Sequence, residues 1–305
     1  MGIGHNSLND STLLTEARTT YSTLFANALK SANGFWYENL TTLVQGSGRT
    51  IKMPFLGQLP AMREWLGARQ FESFSRYANQ AIVKTYEGSV AVDVDDIEDD
   101  QLGGYKSLFE DLAYNLAQWP QDIVGALIKA NSACWDGQNF FDASHPVQPG
   151  VAGSATYSNV FTSTALSESN FVAVKSAMMT IKGRDGRPIG FGRKPMLVVP
   201  VALETTARKL VVAQQINGGD SNTLAGAAGL LVVPELGTAF GGSDTTWYMA
   251  DVGHSVKPLV FAKSGTPYLR SDTTKEFTDN VVLFGTKARG AAAYGMPFLM
   301  AKASA

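Results

Sequence analysis

Apolar residues recur along this chain in blocks whose period switches between helix-like and strand-like. From Ser11 onward, Leu14, Ala17, Tyr21, Leu24, Phe25, Ala28 and Leu29 follow steps of three and four, one face of a helix. Ser11 or Thr12 stands ready to cap its start and Asn33-Gly34 to end it. Residues 1–10, rich in Gly, Asn and Ser, read as a mobile lead-in. No stretch of comparable length follows until residue 102, so this predicts a free-standing helix that docks on a distant part of the fold or on another subunit. Residues 48–95 then turn strand-like. Pro54, Gly57, Pro60 and Gly67 punctuate the first arm. In the second arm Val90, Val92 and Val94 alternate with Ser89, Ala91, Asp93 and Asp95, a half-buried strand. The whole span predicts a long hairpin with Trp65, Arg69, Phe71, Phe74, Arg76 and Tyr77 near its tip. Such a hairpin has little core of its own and needs a partner surface.

Residues 102–133 predict a long helix, with Leu108, Leu112, Leu116, Trp119, Ile123 and Leu127 on one stripe. Pro120 falls inside and is expected to kink or split it. Residues 150–274 predict an α/β region. A helix spans 167–182, then KGRDGRPIGFGRK forms a Gly-rich loop with an Asp185-Gly186 turn. A strand at 196–199, a helix at 201–213, and strands near 230–233, 246–250 and 258–262 follow. Residues 281–301 read as strand, glycine turn and strand.

Composition sharpens this picture. Charged residues make up 17% of the chain, against roughly 25% in ordinary soluble domains. So low a share fits a chain whose surface meets other protein, as in obligate assemblies. The net charge of −2, spread without a basic domain, excludes nucleic-acid binding by charge alone. The single cysteine, Cys134, excludes an internal disulfide framework and fits a reducing compartment; beside Trp135 it reads as a small buried apolar residue. Apolar runs such as 195–203 and 224–236 fall short of the ~18 residues of a membrane span. The opening MGIGHNSLND lacks signal-peptide and myristoylation patterns, which predicts a soluble protein made in the cytoplasm.

The candidate chemistry is sparse. Asp93, Asp95, Asp96, Glu98, Asp99 and Asp100 crowd together ahead of the long helix. They lack the glycine and glutamate spacing of a calcium loop. Capping of that helix, a solvated face, pairing with basic groups of another subunit, or a hard-cation site would each relieve their repulsion. Asp136, Asp142 and His145 form the one constellation that could serve a metal-dependent hydrolase, but HExxH, HxH and GxSxG are absent. Lys182, Arg184, Arg187, Arg193 and Lys194 make the Gly-rich loop basic without a phosphate-binding GxxxxGK[ST]. It suits a neighbour's carboxylates or packaged nucleic acid, or it is a solvated hairpin.

Several stretches, in order, carry a family resemblance: REWLGAR at 63–69, YEGSVAVDVDDIEDDQLGGY at 86–105, FFDASHPV at 140–147, GRDGRPIGFGRKPMLVVPVALETTARKLV at 183–211 and KARGAAAYGMP at 287–297. In these the chain resembles the major head (capsid) subunits of Mu-like tailed phages. The resemblance implies an α+β, HK97-like phage capsid fold. Residues 1–47 would be the N-terminal arm, 48–92 the extended hairpin loop, 93–149 and 275–305 the peripheral domain with its spine helix, and 150–274 the axial domain. It implies a structural protein, not an enzyme, with no cofactor, metal or catalytic residue. Copies would build homo-hexamers and homo-pentamers into an icosahedral virion shell, assembled in the host bacterial cytoplasm around non-specifically contacted double-stranded DNA. A portal and a separate scaffolding protein are implied, since no long charged heptad region is present, and there is room for a decoration protein. Trp65, Arg69, Phe71, Arg76, Arg184 and Arg187 are the expected inter-subunit contacts. An encapsulin-type nanocompartment shell is the alternative with the same fold, and the hydrolase on His145 a remote one.

Overall fold

This computed structural model describes residues 7–56, 76–98, 102–189, 191–216 and 219–305. The chain begins with helix α1 (Ser7–Ser31) and the short α2 (Tyr37–Leu40). Strands β1 (Thr41–Gly46), β2 (Thr50–Leu56), β3 (Arg76–Ile82) and β4 (Lys84–Asp93) follow, then α3 (Val94–Glu98) and the long α4 (Leu102–Ala130). A loop region holds the short strands β5 (His145–Pro146), β6 (Thr156–Tyr157) and β7 (Val160–Phe161). Next come α5 (Glu168–Met179), β8 (Pro195–Val199), α6 (Glu204–Val211), the small hairpin β9 (Gln215–Ile216) and β10 (Asp220–Ser221), and β11 (Gly229–Val232). The chain closes with β12 (Trp247–Asp251), β13 (Leu259–Ser264), β14 (Tyr268–Asp272), α7 (Glu276–Asp279), β15 (Val281–Tyr294) and β16 (Met300–Ala303).

Two sheets organise these elements. In the first, β15 is the hub: β4 pairs along one side of it, β14 and then β13 along the other, and β1 adds in parallel beyond β13. The period-two pattern of β15 explains its place. Val282 and Phe284 face α1 and α4, while Ala291 and Ala293 face the β2–β3 hairpin through Ile51, Met53, Ala81 and Val83. The second sheet runs β11-β8-β12-β16-β7. Its central strands PMLVV and WYMAD are nearly continuous apolar runs because both faces are covered. Met196, Val198, Tyr248 and Ala250 enter one core and Leu197, Val199, Trp247 and Met249 the other.

The structure corrects several expectations. Helix α1 begins at Ser7, ahead of the expected Ser11 or Thr12 cap, and of the two expected docking places it takes a distant part of the fold. Tyr21 stacks on Phe109 of α4 at 4.3 Å and meets Phe284 edge-on. Arg18 Nε donates to Ser271 Oγ at 2.7 Å. The hairpin is β2 with β3 alone: the stretch expected as its second arm is β4, which pairs with β15 instead and ends at Asp93, so Val94 and Asp95 turn into α3. Helix α4 stops at Ala130 and is not split by Pro120. The turns on either side of that proline are clamped by packing: Trp119 lies against Tyr86 and Phe261, and Val124 and Ile128 are buried. That packing outweighs the lost backbone bond. The deepest stripe of α4 is Phe109, Ala113, Val124 and Ile128; the predicted leucine stripe flanks it, half-buried. The C-terminal segment is the expected strand, glycine turn and strand: β15 carries Gly285 and Gly290 within it, and the break falls at Gly295.

Candidate functional site

Of the residues expected to meet neighbouring subunits, Trp65, Arg69 and Phe71 lie outside the described residues. Arg76 opens β3, where its backbone pairs with Leu56. Arg184 and Arg187 are exposed on the hairpin that follows α5. Its turn is the predicted one: Gly186 takes φ +74° and the Arg187 N–H donates to Asp185 Oδ1 at 3.1 Å. Lys182 bridges Pro188 across it, and Gly183 N–H donates to the Arg187 carbonyl.

What fixes the base of this basic hairpin is Asp251, which the sequence reading missed. Its side chain is fully buried at the end of β12. Oδ2 accepts the N–H groups of Gly192 (2.6 Å) and Arg193 (2.8 Å), and Oδ1 accepts those of Lys194 (3.0 Å) and Gly253 (2.8 Å). Consecutive backbone N–H groups form an anion cradle, here filled by the chain's own carboxylate. Burial pushes the Asp251 carboxyl up, but the four donors more than offset it and hold it below the usual range. His254 Nε2 stands 3.7 Å from the same carboxylate. Gly253 is required, since a Cβ there would fall 2.7 Å from Arg193 Cβ. The one visible signal was an aspartate closing an apolar strand, with glycine two positions on.

The structure does bring His145 and Asp136 together. His145 Nδ1 lies 2.6 Å from Asp136 Oδ2, with side chains 0% and 1% exposed. Asp142 is not part of the pair; its Oδ1 accepts the Ser144 N–H. The His145 ring stacks on Tyr157 at 5.1 Å, and Nε2 has no hydrogen-bond partner among the described residues. Burial, then the Asp136 charge, pushes the Tyr157 hydroxyl well up and the Cys134 thiol up to about 12. A sealed dyad beside a protonated thiol offers no substrate access and no activated nucleophile. It serves to tie the 134–139 turn to β5 and β6. Among the described residues no group of three or more His, Cys, Asp or Glu is placed to hold a metal ion.

The described part of the acidic segment is absorbed locally. Asp93 Oδ1 accepts the Asp95 N–H at 3.0 Å and the Asn280 Nδ2 at 3.1 Å, and Asp96 accepts a short hydrogen bond from the Tyr105 hydroxyl. That bond, with a smaller contribution from burial, pushes the Tyr105 hydroxyl up. Asp99 and Asp100 lie outside the described residues.

Comparison with known proteins points one way. A family model described as the Mu-like prophage major head subunit gpT matches residues 14–167, 160–236 and 237–305. The major capsid protein of Escherichia phage Mu is 28% identical over 265 residues, 85% of this chain and 63% of that protein. The Mu-like prophage FluMu major head subunit of Haemophilus influenzae is 32% identical over 139 residues, 44% of this chain and 45% of that one. This chain therefore spans less than two thirds of the length of either curated relative. Among solved structures, the procapsid of bacteriophage JBD30 matches with a TM-score of 0.60 and 24% identity, over 96% of this chain and 75% of that chain. The fold is thus the HK97-like capsid shell fold that the sequence resemblance implied.

Proposed function

This chain belongs to the Mu-like prophage major head subunit family, and from that premise we propose that it is the structural subunit of a phage head. Copies associate through hexamers and pentamers into an icosahedral shell that encloses double-stranded DNA, and the protein ends in the virion after assembly in the host cytoplasm. The observation that carries this reading is the family match, which runs from residue 14 to residue 305. The JBD30 procapsid fold supports it independently of sequence. Identical chains in a ring make heterologous contacts, in which one patch meets a different patch on the next copy. The low charged fraction of 17% suits a surface largely covered in that way.

Within this reading, residues 1–47 act as the N-terminal arm, 48–92 as the extended loop, 93–149 with 275–305 as the peripheral domain, and 150–274 as the axial domain. Trp65, Arg69, Phe71 and Arg76 on the loop, and Arg184 and Arg187 on the basic hairpin, contact neighbouring copies. A portal, a separate scaffolding protein and a decoration protein complete the particle.

Negative-stain electron microscopy with light scattering of the purified protein, co-expressed with its scaffold, tests the assignment. Closed shells, or rings of five and six, are expected, with DNA in particles from infected cells. A monodisperse small species in the presence of scaffold, or shells that hold an enzyme in place of DNA, would overturn it. Arg69→Glu with Arg76→Glu is expected to abolish closed shells while leaving the melting curve of the subunit unchanged; normal shells from that variant would remove those contacts from the account.

A further inference from the structure

Where glycine follows Asn or Asp, a chain is able to modify itself, because no Cβ shields the glycine nitrogen from the preceding side-chain carbonyl. Asn33-Gly34, Asp136-Gly137, Asp185-Gly186 and Asn217-Gly218 are such pairs, the last outside the described residues. Two of them are closed to that reaction. The Gly137 N–H donates to the Cys134 carbonyl at 3.1 Å, and the Asp136 side chain is 1% exposed on its His145 bond. The Gly186 N–H donates to the Gly183 carbonyl at 3.0 Å, while Asp185 Oδ1 accepts the Arg187 N–H. Asn131-Ser132, where the following residue is also small, is locked too. The Ser132 N–H donates to the Tyr294 hydroxyl at 2.7 Å, and both ends of the Asn131 amide bond the Phe141 backbone.

Asn33-Gly34 is open on each of these counts. Both residues are exposed in the link between α1 and α2. Gly34 takes φ +82°, and beyond its chain neighbours no heavy atom lies within 4 Å of where a Cβ would stand. Among the described residues its N–H has no backbone partner. One exposed hydrogen bond, from Asn33 Nδ2 to the Ser31 carbonyl at 2.9 Å, holds the amide.

We propose that Asn33 is a self-modification site, and that the carboxylate it gains loosens the end of α1 from α4. The Gly34 nitrogen gives up its proton and attacks Asn33 Cγ. A new C–N bond forms, the Cγ–Nδ2 bond breaks, and ammonia leaves with that proton, closing a succinimide. Water then opens the ring at the side-chain carbonyl to give aspartate, or at the main-chain carbonyl to give isoaspartate. The new charge is poorly placed. Glu110 and Asp111 of α4 line the same surface hollow as Asn33, and no lysine or arginine is among its described lining. The site also lies just past the C-terminal end of α1, where the helix dipole is negative. In isoaspartate the main chain gains a methylene between α1 and Trp36, whose N–H is anchored on the buried Gln121 at 3.0 Å. This proposal does not depend on the shell reading.

The test is site-resolved peptide mapping by mass spectrometry of the full chain, incubated at mildly alkaline pH beside a synthetic peptide of residues 30–36. Aspartate and isoaspartate are expected at position 33. Only one exposed hydrogen bond has to break, so the folded chain is expected to convert no more than about ten-fold slower than the peptide. Slower conversion than that, or faster conversion at Asn131, would overturn the site. Asn33→Gln, which would have to close a larger ring, is expected to keep its amide; equal loss of ammonia from it would overturn the cyclic route. Asn33→Asp carries the charge from the start. It is expected to speed hydrogen exchange over residues 24–31 roughly two- to five-fold at low salt, a difference that shrinks as salt is added. Unchanged exchange in that variant would overturn the loosening.

Discussion

Replacing Asp251 by Asn tests whether one buried carboxylate holds the basic hairpin. The side chain accepts four backbone N–H groups, two on each oxygen. Asn keeps one acceptor oxygen and presents an NH₂ group to the other two donors. Two hydrogen bonds to a charged acceptor are lost, each worth ~1.5–3 kcal/mol, and two N–H groups are left facing a donor. The expected loss is therefore about 3–6 kcal/mol. For a large domain at ~2–4 °C per kcal/mol, the melting temperature of the isolated subunit falls by roughly 6–24 °C. Urea titration measures the free energy, and hydrogen exchange at Gly192, Arg193 and Lys194 localises it. The pH dependence supplies an internal control. Because the Asp251 carboxyl is held below its ordinary value, its contribution is complete above pH ~4 and is lost as pH falls through the folded-state value. The gap between the native chain and Asp251→Asn therefore narrows in acid. A loss below about 1 kcal/mol at neutral pH, or a gap that widens in acid, would refute the reasoning.

Three further outcomes follow from the same kind of accounting. The buried Cys134 thiol, pushed up to about 12, is expected to resist a thiol reagent at neutral pH in the folded protein and to react fully in urea; rapid labelling of the native chain would contradict its placement. The Tyr21 hydroxyl is buried with no partner among the described residues, so Tyr21→Phe is expected to be neutral or to stabilise by ~1 kcal/mol, whereas Tyr21→Ala strips the stack on Phe109 and frees α1 for limited proteolysis. Asn159 is buried, donates to the carbonyls of Phe140, Pro297 and Met300, and accepts the Asp142 N–H. Asn159→Ala is expected to cost about 3 kcal/mol in urea unfolding, because it leaves those groups without their partner.

Much of this architecture was legible in the sequence, wherever a local pattern had a single physical solution. Alternation of Val90 and Val92 with Ser89, Ala91 and Asp93 wrote β4, and apolar runs wrote the strands expected at 196–199 and near 246–250; that both faces of those strands are covered came from the structure. The apolar steps after residue 102 wrote a long helix, and Asp185-Gly186 wrote a turn. The ordered family segments supplied the capsid fold, which no periodicity contained. The burial of Cys134 and the absence of known catalytic spacing were equally plain.

What remained to the tertiary structure was everything that depends on which distant segments meet. Tyr21, Phe109 and Phe284 come from an N-terminal helix, the long helix and a C-terminal strand; nothing in the periodicity of α1 named its partner, so docking within the fold and docking on another subunit both stayed open. Pro120 looked like a helix breaker because local propensity counts the missing N–H and not the packing of Trp119, Val124 and Ile128 around it. His145 and Asp136 looked like chemistry until their burial sealed them from any substrate. Asp251 looked like one acid among many, because its four donors are assembled by the return of the chain at 192–194. Sequence alone determined the elements and the family, since both rest on local order along the chain. The tertiary structure decided which polar groups are locked and which are sealed, since burial and hydrogen bonding are settled between segments far apart in sequence.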